Sequence, residues 1–230
     1  LGRLHALYAL AGLDQLKPNH LVMAMSDRHP FLREHAIRLA EPFLVKDINS
    51  SRPLAQAMLA LARDKSPHVR LQFALTSGVV EFPGELPALL ETLAVSGKGS
   101  WIRSAVLNAL SAQVNELFSH YADSVPPPDA SEVVALANGL RKGGNSLSRL
   151  QPEARKYLQR VSMAVGEDAD CSSALRLQAI GLLSTLDKKA ASPPLLAFLD
   201  ATEASLRDGA VRELVNLAPE GLTADLLDRW

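Results

Sequence analysis

A short motif that returns along the chain constrains the fold more than any other feature. An apolar or small residue precedes an arginine, and a small or apolar residue follows three positions after it. The steps between successive arginines are 30, 37, 33, 73 and 31 residues, and the longest is close to two ordinary steps, which predicts one degenerate repeat. A period in the 30s is typical of stacked helical pairs. The arginines are Arg3, Arg33, Arg70, Arg103, Arg176 and Arg207.

Each copy of the motif also has the periodicity of a helix. From Leu32 onward, apolar residues recur at the spacing of one buried helical stripe, at Ala36, Leu39, Ala40 and Phe43. Hydrophobic residues make up 47% of the chain but aromatic residues only 5%, so the apolar content is dominated by helix-forming Leu and Ala. We therefore predict an all-α fold, an α-α superhelix of about seven helix pairs.

We expect a single solenoid domain over residues 1–230. Its irregularity is an enlarged repeat at about 116–166, where three consecutive prolines (126–128) interrupt any helix. Within it, helices are predicted at residues 131–141, capped by Ser131, and at 152–165. Both ends read as truncated, with residues 221–230 resembling a first helix without its second. The first helices of the other pairs are predicted at residues 18–26, 53–63, 84–95 and 193–200.

An aspartate stands six residues before three of the arginines. A carboxylate in that turn can cap the next helix and pair with an arginine of its own or a neighbouring repeat. We therefore predict a ladder of pairs that sets the register between repeats. The equivalent positions before Arg103 and Arg207 are Gly97 and Ala201, so the ladder is interrupted there. Its members are Asp27, Arg33, Asp64, Arg70, Arg103, Asp170, Arg176 and Arg207.

A row of polar residues lies two positions after four of the arginines: His5, His35, Gln72 and Gln178. We expect the arginine-bearing helices to line a concave face, where this row could contact a partner. A metal site is disfavoured, because no histidine pair has the i, i+4 spacing of a helical site with a third ligand nearby. No nucleophile elbow or phosphate-binding loop is present, so we predict no catalytic residue, cofactor or metal ligand.

Two single residues leave alternatives open. Cys171, the one cysteine, is either a small hydrophobic residue or helix-cap neighbour, or it is a reactive or intermolecular thiol. Trp101 either anchors a helix start between repeats or serves as a hot spot for a partner.

The charge balance excludes some partners. Lys and Arg number 24 against 25 acidic residues, giving a formal net charge of −1. A general nucleic-acid binder and a protein held electrostatically on anionic lipid both need an excess of basic residues. The longest uncharged run, residues 104–115, is 12 residues long and too short to cross a bilayer. We expect a protein partner, with neither nucleic-acid binding nor membrane insertion.

Two segments, Asp64-Lys65-Ser66-Pro67-His68-Val69-Arg70 and Asp27-Arg28-His29-Pro30-Phe31-Leu32-Arg33, resemble HEAT repeats, and the likeness covers nearly the whole chain. It implies a HEAT/armadillo-like solenoid that binds proteins. The segments at residues 4–10, 69–75 and 101–107 more narrowly resemble the HEAT part of large bacterial PVC-type proteins. Those proteins join a membrane-bound-dehydrogenase-like domain to a c-type haem domain. Their haem motif, Cys-x-x-Cys-His, is absent here, so no haem ligand carries over.

We therefore expect a non-catalytic interaction and spacer scaffold within a larger, redox-associated protein. Its partners would be other proteins or neighbouring domains of the same chain. The narrow resemblance implies an exported or periplasmic location, which the segment itself leaves unknown. The alternative is an enzyme on a HEAT-like scaffold, either resembling bilin lyases or, less favoured by the charge balance, resembling DNA glycosylases.

Overall fold

The computed structural model describes residues 2–46, 51–97, 100–144 and 147–217. All regular structure in these ranges is helical and no strand forms, so the all-α prediction is confirmed. The chain divides into two compact units, unit 1 (Leu1–Gln113) and unit 2 (Val114–Trp230). The expectation of one continuous domain stays a prediction.

Unit 1 is a stack of helices in which arginine-bearing helices lie side by side. Helix α3 packs against α1 and α5, and α5 packs against α7, as the repeat predicts. The described helices of this unit are α1 (Gly2–Gly12), α2 (Pro18–Met25), α3 (Pro30–Lys46), α4 (Arg52–Leu59), α5 (Pro67–Ser77), α6 (Glu85–Ala94) and α7 (Trp101–Leu110), with 3-10 turns at Ala60–Arg63 and Ser111–Gln113.

In unit 1, the apolar positions of the motif form the hydrophobic core. The residue three after the arginine is completely buried in three successive helices, at Ala36, Phe73 and Val106. Fully burying a side chain as large as that of Phe73 or Val106 stabilises the fold by about 1.5–3 kcal/mol. The recurring spacing therefore records one core position per repeat.

Unit 2 is arranged around one central helix. Helix α11 packs against α9, α10, α12 and α13, and its Ile180 and Leu183 share a buried cluster with Leu195 and Leu214. The described helices are α8 (Val114–Asp123), α9 (Ala130–Lys142), α10 (Pro152–Glu167), α11 (Ser173–Leu186), α12 (Lys188–Phe198) and α13 (Ala204–Leu217), with a 3-10 turn at Leu147–Arg149.

The enlarged repeat is also the degenerate one, because its helix α9 has no arginine at the motif position. Helix α9 packs against α11, and its Val134 shares a buried cluster with Ala179. Ala179 comes three residues after Arg176, whereas the residue three before Val134 is Ser131. The degenerate repeat therefore keeps its apolar position but lacks the cation.

Two helix starts differ from the sequence-based prediction. Asp129, rather than Ser131, caps α9, since its Oδ1 accepts a hydrogen bond from the Glu132 backbone N–H at 2.9 Å. Helix α12 begins at Lys188 rather than at Pro193, because Asp187 Oδ1 accepts a hydrogen bond from the Ala190 backbone N–H at 3.0 Å and starts the helix before the prolines. The predicted helix at 221–230, with Trp230, lies outside the described residues. Among those that are described, no helix is long and apolar enough to cross a membrane.

Candidate functional site

The repeated arginine closes the turn that precedes its own helix. In three repeats, one guanidinium nitrogen, Nη1, donates hydrogen bonds to two consecutive backbone carbonyls, six and five residues earlier. We call this arrangement the arginine clamp. Because it uses backbone acceptors, it does not depend on which side chains the turn carries. The donors are Arg33, Arg70 and Arg207, and the carbonyls belong to Asp27 and Arg28, to Asp64 and Lys65, and to Ala201 and Thr202.

The turn carboxylates reach the arginine of the preceding repeat. Asp64 forms a two-pronged pair with Arg33, in which Nε and Nη2 each lie 2.7 Å from a carboxylate oxygen. Both side chains are largely buried, with 15% of Arg33 and 7% of Asp64 exposed. Asp27 pairs in the same direction with Arg3 at 3.1 Å, where the arginine is 60% exposed. The ladder in unit 1 therefore joins consecutive repeats.

Ionisation of the Arg33–Asp64 pair follows from these contacts. Burial, the largest single influence, acts to raise the pKa of Asp64. The hydrogen bonds from Arg33 and the Ser66 backbone N–H, with the charges of Arg33 and Arg70, outweigh it and lower that pKa. The same hydrogen bond raises the pKa of Arg33. The pair is thus ionised at neutral pH and is lost only when acid protonates Asp64.

The ladder stops at Arg70. Its Nε is buried and has no hydrogen-bond partner within the described part of the chain. By the pattern of the two preceding rungs, the partner would stand at residue 97, which is glycine. Arg103 lies half-buried in the first turn of α7, where its backbone N–H donates to the capping Ser100 Oγ at 3.2 Å.

In unit 2 the predicted pair of Asp170 and Arg176 does not form. Asp170 is exposed, and its backbone N–H donates to Asp168 Oδ1 at 2.9 Å. Arg176 Nε instead donates to the Gly166 carbonyl at 3.0 Å, and its guanidinium carbon lies 4.9 Å from the centre of the Phe198 ring. The arginine is therefore held by a backbone carbonyl and a cation–π contact.

Within each unit, the described residues of the predicted polar row share no common hydrogen-bond partner. In unit 1, His5 is exposed on α1, and His35 Nδ1 shares a hydrogen bond of 2.8 Å with the Tyr8 hydroxyl. Gln72 donates to Thr76, which donates to Glu41. In unit 2, the side chain of Gln178 is exposed. The hydrogen bond of His35 therefore joins α3 to α1, and that of Gln72 positions Thr76, which joins α5 to α3.

A buried carboxyl that the sequence analysis did not single out lies at the start of α6. Glu85 is 2% exposed, and its Oε2 accepts a hydrogen bond from the Phe82 backbone N–H at 3.3 Å. Burial, with a smaller contribution from the charge of Glu81, raises the pKa of Glu85 to about 7, although Phe82 and the Gln113 side chain act in the opposite direction. Near neutral pH this carboxyl is therefore partly protonated.

The surroundings of Cys171 favour its thiol form over its thiolate form. Burial raises the pKa of the Cys171 thiol, and the hydrogen bond and negative charge of Asp168 raise it further. A thiol with a raised pKa carries less thiolate at neutral pH. Across the described residues, no group of three or more His, Cys, Asp or Glu side chains is arranged to hold a metal ion.

A row of exposed rings runs along one edge of unit 1, at the starts of α3, α5 and α7. Trp101 is 84% exposed, so it does not pack between repeats as the anchor that one sequence-based alternative proposed. Phe31 is 53% exposed, and its ring centre lies 6.4 Å from that of His68 and 5.4 Å from that of His29. We call this surface the aromatic edge. It comprises His29, Phe31, His68 and Trp101, together with the exposed Arg28 and Lys65.

Sequence comparisons add no relative to this description. No family model matches the chain, and no curated protein matches it. Its function therefore has to be inferred from the helical stack and from the side chains that the stack exposes.

Proposed function

We propose that this chain is a non-catalytic protein-interaction and spacer module of the HEAT type, within a larger multidomain protein. The observation that carries the proposal is how the recurring charged residues are used. Three motif arginines, Arg33, Arg70 and Arg207, bind turn carbonyls, and in unit 1 Arg3 and Arg33 bind the carboxylate of the next repeat. Arginines engaged in this way hold turns and helices in register, which is a structural rather than a chemical use.

Regular stacking supports the same proposal. Helical pairs that contact mainly their neighbours present long, rigid surfaces, which is the usual basis of protein binding by α-solenoids. The likeness of residues 27–33 and 64–70 to HEAT repeats agrees with this use. The narrower likeness to PVC-type proteins adds that the neighbouring domains would be redox-associated and that the parent protein would be exported.

Exposed apolar side chains that do not belong to the aromatic edge offer sites for a direct test. Val79 in unit 1 and Val211 and Val215 in unit 2 are each at least half exposed. A photo-crosslinking amino acid would be placed at these positions, one at a time, in the full-length protein in its native host. We expect light-dependent adducts to defined protein segments, identified by mass spectrometry, either in the same chain or in a second protein.

The competing enzyme hypotheses predict different products. A glycosylase-like enzyme would crosslink to DNA and release bases from alkylated DNA, whereas a bilin-lyase-like enzyme would transfer a tetrapyrrole to an acceptor protein. Either activity in the purified full-length protein, or adducts with non-protein material alone, would overturn the scaffold proposal. As a control, the crosslinker at the buried Leu158 should give no intermolecular adduct, because that side chain has no exposed surface.

A further inference from the structure

We propose that the aromatic edge of unit 1 binds an extended, acidic peptide segment that carries aromatic side chains, with one peptide ring contacting each of three repeats and one carboxylate contacting each of the first two. The inference rests on the proposed function as an interaction module. It adds the surface and the chemistry of the partner.

The arginine clamp positions the residues of this edge. By binding the carbonyls six and five residues before it, each clamp arginine fixes the backbone of the turn. The residue five before the arginine is basic in the first two clamped turns, at Arg28 and Lys65. The residue two before it is a ring in three successive repeats, at Phe31, His68 and Trp101. Each repeat thus presents a ring at the same register, and the first two also present a cation.

The rings are accessible and partly contiguous. Phe31 lies between His29 and His68, with ring centres 5.4 and 6.4 Å away, and more than half of its surface is exposed. Trp101 stands at the same register on α7, which packs against α5, and is 84% exposed. Exposed aromatic residues grouped in this way are characteristic of interfaces, where they supply large contact areas at small entropic loss.

The accessible charge at this edge is positive. The nearby carboxylates of Asp27 and Asp64 are paired with arginines, and only 13% and 7% of their side chains are exposed. Arg28 and Lys65, in contrast, are exposed and have no carboxylate partner among the described residues. A surface with free cations and shielded anions favours an acidic partner.

Unit 2 shows that the fold does not require these side chains. The clamp of Arg207 has the same carbonyl geometry, yet Thr202 and Ser205 occupy the positions of the basic residue and the ring. Since the clamp forms without a cation or an aromatic ring, their recurrence in unit 1 is additional to folding. An additional, exposed and periodic pattern indicates binding.

The spacing of the repeats suits an extended peptide. Packed helices lie about 8–10 Å apart. A polyproline-type chain rises about 3.1 Å per residue, so three residues cover about 9 Å and place equivalent side chains opposite successive repeats. A peptide of three Glu-Pro-Phe units would set one ring against each of α3, α5 and α7 and would bring carboxylates to Arg28 and Lys65.

The test measures binding of a fluorescein-labelled (Glu-Pro-Phe)3 peptide to the full chain by fluorescence anisotropy. A Trp230→Phe background leaves Trp101 as the sole tryptophan, so its emission reports contact at the edge. We expect saturable binding that weakens with salt, changes Trp101 emission and exceeds binding of (Lys-Pro-Phe)3 and (Glu-Pro-Ala)3 peptides.

Substitutions then locate the site. The double variant Arg28→Glu, Lys65→Glu should weaken binding at least about tenfold, and Trp101→Ala about fivefold or more. A matched control, Arg38→Glu, reverses an exposed charge on the same α3 outside the edge and should change affinity less than about twofold. Circular dichroism melts of each variant verify that the helices remain folded.

Three results would overturn the inference: no saturable binding, binding that survives the double variant, or a twelve-nucleotide oligothymidine that binds more tightly and is lost in the same variants. The last result would assign the edge to single-stranded nucleic acid. Crosslinks to protein from Val79 or Val215, combined with no peptide binding here, would leave the scaffold function standing and remove only the role of this edge.

Discussion

The two units join their repeats by different chemistry. In unit 1, the arginine of one repeat binds the carboxylate of the next, through Arg3–Asp27 and the buried Arg33–Asp64 pair. At the central helix of unit 2, small residues allow close approach instead. A Cβ atom added at Gly166 would overlap the side chain of Ile180, and one added at Gly209 would overlap that of Leu177.

The difference separates two roles of one motif. The clamp onto the turn recurs in both units, at Arg33, Arg70 and Arg207, because it needs only the arginine and backbone carbonyls. The link between repeats depends on the residue six before the following arginine, which is aspartate in three places, glycine before Arg103 and alanine before Arg207. The arginine is therefore primarily a turn residue, and it links repeats only where an acid follows.

The largest expected effect comes from breaking the buried rung of unit 1. Asp64→Ala leaves Arg33 without its carboxylate in a largely buried position and removes the acceptor of the Ser66 backbone N–H. We expect a loss of about 3 kcal/mol in the free energy of unfolding, measured by urea denaturation, with faster hydrogen exchange in α3 and α5.

The matched control is Arg63→Ala, which breaks an ion pair with Glu91 whose side chains are 66% and 44% exposed. Exposed pairs contribute little, so we expect a change below about 1 kcal/mol. Equal effects of the two substitutions would contradict the conclusion that the buried Arg33–Asp64 pair stabilises unit 1 more than an exposed ion pair does.

The second effect comes from crowding the close contact in unit 2. Gly166→Leu would force Ile180 out of its buried position between α10 and α11, and we expect a loss of about 2 kcal/mol in the free energy of unfolding. Ala164→Leu adds a leucine on the exposed face of the same helix and should be nearly neutral. Hydrogen exchange should increase in α10 and α11 for the first variant alone.

A third effect depends on pH and is confined to unit 1. The pKa of Glu85 is raised to about 7 in the folded state, so its contribution to stability is full at acidic pH and declines as pH rises toward and through 7. Glu85→Gln cannot ionise and should lose this decline. Relative to the parent chain, we expect it to gain about 1–2 kcal/mol between pH 5 and pH 8, allowing for solvent screening.

The measurement is thermal or urea unfolding across that pH range, with Glu153→Gln, at an exposed glutamate in the first turn of α10, as the control. A parallel pH dependence in Glu85→Gln and the parent chain would show that another group is responsible.

The smallest effect extends the ladder by one rung. Gly97→Asp would offer a carboxylate to the buried Nε of Arg70, and a Cβ at residue 97 meets no atom within 4 Å. We expect a gain of about 0.5–1 kcal/mol in the free energy of unfolding. Ala201→Asp in unit 2 should gain less, because Arg176 is already held by Gly166 and Phe198. A larger gain at residue 201 would break the distinction between the units.

Sequence periodicity predicted the helices well, since burial repeats with the helix. Ala36, Phe73 and Val106 mark equivalent core positions and are all fully buried. The start of α12 was harder to predict. Two prolines normally indicate a helix start, but Asp187 supplies a stronger start five residues earlier.

The partners of the charged residues could not be predicted from spacing alone. Asp64 stands six residues before Arg70, yet its carboxylate binds Arg33 of the preceding repeat while its carbonyl accepts from Arg70. The choice depends on how closely neighbouring helices approach, which the spacing along one chain does not contain. The hydrogen-bond partners of the polar row were not predictable from spacing either, because the hydrogen bond of His35 goes to Tyr8 and not to His5.

The sequence contains a periodic signal for the aromatic edge that the prediction did not include. Rings at Phe31, His68 and Trp101 share one offset from the arginine, and Arg28 and Lys65 share another. Partner-facing residues were expected two positions after each arginine, whereas the exposed rings lie two positions before it. Only the exposure of these rings distinguishes a surface row from a packed one.

The direction of the ladder determines where the stack could be lengthened. Residues 28–64 contain Arg33 together with the aspartate that it binds, so this stretch is self-sufficient in charge. A tandem duplication of the stretch would leave Asp27 with Arg3, give each copy its own buried pair and keep the clamp of Arg70. A truncation that ends the chain between Arg33 and Asp64 would instead leave one of the two ions without its partner. Gene duplication with breakpoints in the turns could thus add whole repeats without ever passing through an unpaired intermediate.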